Sequence, residues 1–271
     1  MVQNEKPDRK ILEIDISKLS LAIRKSLECL PAESDSEWTE EELENYHKFL
    51  LAMAELEWPA FLEGDTAFHA EIASCMEKDD ADGIVNSLYD YYDDPLFLKW
   101  VEDRFEESEV IRPERLPVIR ESFLLYQLGY YYGAVAILIP QIEGILTDID
   151  RYIACSGNGY KKKNIDLIDS RYRVSKTNEK GKVVKVLLET KDIDGDDKEY
   201  DYLIGYLRMK VLKDNLSEKE LSMHPNRHAF CHGEQCNYGT KEHALKAILC
   251  IDALEYVASV ISESSAECRI E

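Results

Sequence analysis

Hydrophobic positions recur every three to four residues along most of the chain, the spacing that gathers side chains on one face of an α-helix. Ile16, Leu19, Ile23 and Leu27 form one such stripe, and Tyr46, Phe49, Leu50, Met53 and Leu56 form another. Thr39 and Glu42 precede the second stripe at the three-residue offset where a hydroxyl and a carboxylate satisfy each other's backbone donors at a helix start. Pro59 lacks a backbone N–H and is expected to end or kink that helix. Shorter helices are predicted over 66–76 and 81–92, and Asp94-Pro95 opens another that carries Leu98, Val101 and Phe105.

A new pattern starts near Ile111. Pro113 and Pro117 punctuate it, and 118–130 is predicted as a helix with Ile119, Phe123, Tyr126 and Tyr130 along one side. Gly129 and Gly133 bracket three tyrosines and are expected to mark a tight helix-to-helix turn. The run over 134–153 is apolar on several sides, which suits the middle of a bundle, with Pro140 bending it. Glu143 stands out there: a carboxylate in such a run lies at the bundle surface or is satisfied by a cation or a helix end. Residues 156–205 interrupt the helical period. SRYRVS and KGKVVKVLLET alternate as strands do, so a β-hairpin-like insertion is expected. The acidic turn after it, with Asp192, Asp194 and Asp196, misplaces its glycine for a calcium loop. A final long apolar helix follows over 244–260.

Taken together, the pattern predicts an all-α protein: an acidic helical accessory domain over 1–110 and a helical bundle over 111–271 with the 156–205 insertion. At 45% hydrophobic residues the chain has ample material for a core, so wholesale disorder is excluded. No stretch reaches ~18 uninterrupted apolar residues, so no membrane partner is expected. The opening MVQNEKPDRK lacks the apolar block of a secretory signal, which points to a cytoplasmic protein. Seven scattered cysteines without a C-x-x-C pair suit reduced thiols.

Charge changes the picture. The net charge is −21, and residues 31–110 hold 24 Asp and Glu against four Lys and Arg, a net of −20. Residues 157–185 run the other way, with nine basic residues facing three acidic ones. The acidic stretch is either a solvated helical surface or a surface that docks a basic protein partner or covers the chain's own basic segment. Acidity of this order opposes general duplex binding unless a local basic surface offsets it.

The densest chemistry lies in HPNRHAFCHGEQCNYGTKEH, residues 224–243, which holds four of the six histidines. His228 and His232 share a helical face near Cys231 and Cys236, but a structural zinc site takes four ligands and no second ligand pair appears, so no metal is expected. Cys231 and His232 are adjacent and diverge on a helix, which opposes a nucleophile–base pair. A third arrangement is Arg227 and His232, five residues apart, behind an N-cap-like Asn226. Its plain alternative is a helix-terminal His232 capped by Gly233, with Arg227 in a surface ion pair.

In its setting, NRHAFCHG, then NYGT and ALKAILCIDAL after an upstream YYYGAVAILIPQIEGIL helix, this element resembles the HEPN superfamily, the higher-eukaryote and prokaryote nucleotide-binding domains. The likeness covers about 111–265, with the R-polar-x3-H motif at its centre and His228 in the polar slot. It implies an up-and-down bundle and a metal-independent endoribonuclease without a cofactor, acting as a homodimer that joins two such helices. By position Arg227 and His232 would be catalytic, with His228 supporting. Beside them, Asn226 is a candidate substrate contact, and Glu143 and Tyr238 are candidate supporting residues. The side chains suit the task. RNA brings its own 2′-hydroxyl nucleophile, histidine exchanges protons near neutral pH, and arginine holds phosphate oxygens through a planar fork. The expected products carry a 2′,3′-cyclic phosphate and a 5′-hydroxyl. Lys161, Lys162, Lys163, Arg171 and Arg173 could guide the RNA backbone, with Tyr160 and Tyr172 for stacking.

On a regular helix positions 227 and 232 diverge by about 140°, so one helix does not aim both at one atom. Two antiparallel copies could, since a two-fold contact presents each residue twice. The biological role that the likeness implies is a toxin or phage-defence effector. The alternative is a non-catalytic dimerisation or interaction module binding a protein or RNA.

Overall fold

In a computed structural model of the chain, the described residues are 39–59, 66–155, 173–177, 183–187, 203 and 205–267. They are mainly helical, in keeping with the all-α expectation. The predicted helix around Ile16–Leu27 and the acidic turn at 192–196 lie outside them.

Four helices come first: α1 (Glu40–Glu55), α2 (Thr66–Glu77), α3 (Ala81–Tyr92) and α4 (Pro95–Glu107). Thr39 and Glu42 form the reciprocal cap expected of them. Helix α1 does not run on to Pro59. Glu57 adopts a left-handed backbone (φ 55°), and the Trp58 N–H returns 2.9 Å to the Met53 carbonyl, which closes the helix earlier. Asp94 caps α4, with Pro95 in the first turn.

A 3₁₀ turn at Pro113–Arg115 leads into α5 (Leu116–Gln127), which stops short of the predicted 130. Gly129, at φ 78°, makes the turn, and the exposed Tyr130 lies beyond the buried stripe. Gly133 is not a turn residue: it lies inside α6 (Tyr131–Cys155), which runs through Pro140. The predicted strands appear as β1 (Arg173–Thr177) and β2 (Val183–Leu187), paired antiparallel with Arg173 opposite Leu187. A π-helical turn at Leu207–Val211, α7 (Glu218–Met223), α8 (Arg227–Cys231) and α9 (Lys241–Glu267) complete the described chain.

Helix α9 is the axis of the molecule. Ala244, Leu245, Ala247, Ile248, Leu249, Ile251, Leu254 and Val257 are fully buried, and the buried His243, Lys246, Asp252 and Glu255 lie among them, so the helix is enclosed nearly all round. It packs chiefly on α6, which gives Leu138, Ile142, Ile145 and Ile149 to the same core, and α5 packs on α6. The segment Tyr131–Ile149 has the length and mean hydropathy of a membrane span, yet half of it is buried inside the bundle.

The core is continuous from Tyr46 to Ile261 and crosses residue 110. Polar contacts cross it too. Arg104 of α4 pairs with the buried Asp252 of α9 and reaches Glu255 at 3.3 Å. Asp148 on α6 receives Arg112 at 3.0 Å and Arg115 at 2.6 Å. Burial alone would raise the Asp148 carboxyl, but bonds from Arg115 and the Arg112 N–H hold it below its usual range. Arg115 also donates to Gln141 Oε1 and the Gly144 carbonyl, both at 2.8 Å. A β-carbon at position 144 would stand 2.1 Å from the Arg115 guanidinium, so a larger residue there would displace the guanidinium from this position.

Candidate functional site

The segment over 224–240 is a loop with one short helix, and its shape comes from two buried amides. Asn226 is 1% exposed; its Oδ1 caps α8 at the Ala229 N–H (2.9 Å), and its Nδ2 donates to the carbonyls of Lys210 (2.7 Å) and Lys213 (2.9 Å). Gln235, equally buried, accepts from the Asn226 N–H at 3.0 Å and donates to the carbonyls of Leu221 (2.6 Å) and His224 (2.7 Å). Asn226, expected to contact substrate, thus has its whole side chain engaged in holding the loop.

On that scaffold α8 presents its residues outwards. Arg227 Nε lies 2.8 Å from Glu143 Oε2 on α6, with about a third of each side chain exposed. The cation that Glu143 needs is therefore Arg227. His228 Nδ1 lies 3.0 Å from Asp214 Oδ1, and its ring centroid is 4.4 Å from that of His232. The shared face expected of the two histidines is present, while Arg227 turns towards α6. His232 is not within a helix. It is the C-cap of α8, exposed, and followed by Gly233 at φ 73°, with the Glu234 N–H returning 2.8 Å to the Ala229 carbonyl. The geometry of the plain alternative, a capped terminal histidine and an ion-paired arginine, is therefore realised as well.

Tyr238 belongs to an aromatic cluster, its centroid 5.0 Å from Phe230 and 5.1 Å from Tyr132. Lys161, Lys162, Lys163, Arg171, Tyr160 and Tyr172 lie outside the described residues, and of Arg173 only the backbone, at the start of β1, is described. Cys231 and Cys236 are exposed free thiols. Among the described residues, no three His, Cys, Asp or Glu side chains are grouped to hold a metal ion.

Behind this edge lies a second polar layer without a clear precedent in the sequence pattern. His224 is fully buried, with Nε2 3.0 Å from Glu57 Oε2 and Nδ1 3.3 Å from the Tyr206 hydroxyl. Glu57 Oε1 also accepts from Lys210 Nζ at 2.7 Å. Burial comes first in lowering His224 to about 4, the Lys246 and Lys210 charges add to it, and the Glu57 carboxylate opposes it. Glu57 itself is held low: burial works against ionisation, and the bonds from Lys210 and His224 outweigh it. Lys246 is buried under the Trp58 ring, 4.9 Å from its centroid, and donates to Glu242 Oε1 (2.6 Å) and the Met223 carbonyl (2.9 Å). His243 lies 2.5 Å from Thr240 Oγ1 and 3.2 Å from the Leu221 carbonyl, its pKa lowered mainly by burial. One signal could have found His243: Thr240 precedes it by three residues, and its hydroxyl caps the His243 N–H. Nothing local links Glu57 to His224, which is 167 residues away.

No family model matches the chain, and neither the curated proteins nor the solved structures contain a match.

Proposed function

We propose that the chain is a metal-independent endoribonuclease of the HEPN type that works as a homodimer, with a toxin or phage-defence role. Its support is the placement of Arg227, His228 and His232 together at the bundle edge, where they are half-exposed or exposed. The guanidinium is oriented by Glu143 and keeps further N–H groups for phosphate oxygens. The imidazole of His232 takes the proton of the 2′-hydroxyl or returns one to the leaving 5′-oxygen. His228, against the His232 ring and bonded to Asp214, sets the orientation of its neighbour.

An apolar surface adjoins this edge. Leu124, Leu128, Tyr130 and Tyr132 are each more than half exposed, and Tyr132 runs through Tyr238 and Phe230 into α8. Such a patch suits burial by a second copy, which would bring two Arg227–His232 sets to one cleft. The basic residues over 161–173 would then attract the RNA backbone.

The test is incubation of the purified chain with RNA in EDTA, reading the ends formed. Chelator-resistant products with 2′,3′-cyclic phosphate, lost in Arg227→Ala and His232→Ala, are expected. No cleavage, or equal cleavage by the variants, would leave the non-catalytic module, in which Arg227 only pairs with Glu143 and His232 only caps α8.

A further inference from the structure

Away from the α8 edge, a cleft of about 410 Å³ opens where α3 meets α4, lined by Asp90, Tyr91, Asp94, Phe97 and Trp100. Its wall is aromatic. The Tyr91 and Phe97 centroids are 6.3 Å apart, those of Phe97 and Trp100 6.1 Å, and Phe68 stacks on Tyr91 at 4.1 Å, which fixes that ring. Phe97 is buried, but Trp100 keeps 40% of its surface in water and neighbouring Leu96 keeps 75%. Arg104, outside the cleft wall, places its guanidinium 4.0 Å from the Trp100 centroid, so one face of this ring is engaged by the chain's own cation.

Two carboxylates rim the same opening. Asp94 uses Oδ1 to cap the Leu96 N–H at 2.8 Å, and among the described residues neither Asp94 nor Asp90 is paired with a lysine or arginine. They sit within the 31–110 stretch, whose net charge of −20 nearly equals that of the whole chain. An open aromatic wall with unneutralised carboxylates at its rim is complementary to an apolar stem ending in a cation. It repels phosphate.

We propose that this cleft is the docking point for an arginine or lysine side chain of a basic polypeptide partner, with the rings taking the stem and Asp90 and Asp94 the charged head. A lone small cation gains too little at an exposed aromatic site to hold there by itself. A segment with several basic residues also engages the surrounding acidic surface and the exposed Leu96. The inference is independent of the ribonuclease reading, since it uses none of the α8 residues.

Titration calorimetry of the full chain with a hexaarginine peptide tests it. The paired variant Asp90→Asn/Asp94→Asn removes both charges and keeps the cap, because asparagine caps as well as aspartate. It is expected to weaken binding roughly tenfold, as is Trp100→Ala, whereas Trp100→Phe stays within about threefold. A charge-matched control, Glu40→Gln/Glu41→Gln on the first turn of α1, is expected to cost less than about threefold. Equal losses in cleft and control variants, no loss in the cleft variants, or no binding of hexaarginine would each overturn the proposal. Competition by tetramethylammonium at the peptide's own concentration would overturn the choice of a polypeptide.

Discussion

Four histidines within 224–243 divide between two environments. His224 and His243 are buried, with every ring nitrogen facing a protein group. His228 and His232 lie four residues apart on the outer side of α8 and touch one another. The inner pair is kept neutral by burial, because a charged imidazole away from water costs more than its partners return. The outer pair keeps contact with solvent, and its rings stand on a face that a ligand could reach. A high local density of histidine therefore marks a folded junction as much as a site, and burial sorts the two.

The sharpest way to break this comparison is to remove one member of each pair. His232→Ala is expected to lower RNA cleavage by about 10²–10⁴-fold, the usual worth of a general acid or base, while unfolding free energy moves by less than ~0.5 kcal/mol. His224→Ala should do the reverse: a loss of stability of about 2–3 kcal/mol from removing a fully buried ring and its bond to Glu57 Oε2, with cleavage retained wherever the chain is folded. Cleavage assays beside urea melts read both. If His224→Ala abolished cleavage in a fully folded protein, the division into working and holding histidines would fail.

A smaller contrast separates neighbours 226 and 227. Asn226→Ala strands the carbonyls of Lys210 and Lys213 and the Ala229 N–H, so a loss of about 2–3 kcal/mol is expected. Arg227→Ala breaks a half-exposed ion pair and should cost no more than ~1 kcal/mol, screened further by salt. Thermal melts at two ionic strengths distinguish the cases.

The inner layer also sets the pH response. His224 in the unfolded chain titrates near 6.5 and in the folded chain at about 4, so between those values the unfolded state binds the extra proton. Stability is thus full above pH 6.5 and falls as pH drops towards 4, with His243 adding in the same direction. The Asp148 and Glu57 carboxylates, held low, add their loss only below the ordinary carboxylate range. His224→Gln should flatten the denaturation midpoint between pH 6.5 and 4. An unchanged profile would place the titration elsewhere.

What was legible in the sequence follows the range of the forces involved. The stripe from Tyr46 to Met53, the Thr39–Glu42 cap and the Asp94-Pro95 start are local, and each is where periodicity and capping rules put it. So is the pairing of 173–177 with 183–187. The end of α1 was misplaced because a proline is visible and a left-handed glutamate is not: Glu57 tolerates that backbone where its side chain gains Lys210 and His224, contacts set by the tertiary fold. Gly133 shows the same limit, as a glycine in a helix and a glycine in a turn look alike without their neighbours. At the candidate site, the shared face of His228 and His232 follows from their four-residue spacing, whereas the Arg227–Glu143 pair is a contact between distant segments that no spacing shows. The end of α8 was legible too, because His232-Gly233 carries the signature of a helix end that the plain alternative rests on.

The smallest expected effect probes that end. Gly233 has φ 73°, and nothing lies within 4 Å of where a β-carbon would stand, so Gly233→Ala adds no clash and only the left-handed backbone penalty, about 1 kcal/mol. Its value lies in what else moves. If the α8 terminus merely caps a helix, the variant should lose that stability and leave RNA cleavage per folded molecule unchanged. If the turn aims His232, relaxing it shifts the imidazole, and cleavage should fall by more than the small loss of stability accounts for. Chemical denaturation paired with single-turnover cleavage separates the two, and lost stability with unchanged cleavage per folded molecule would assign Gly233, and with it the position of His232, to the fold alone.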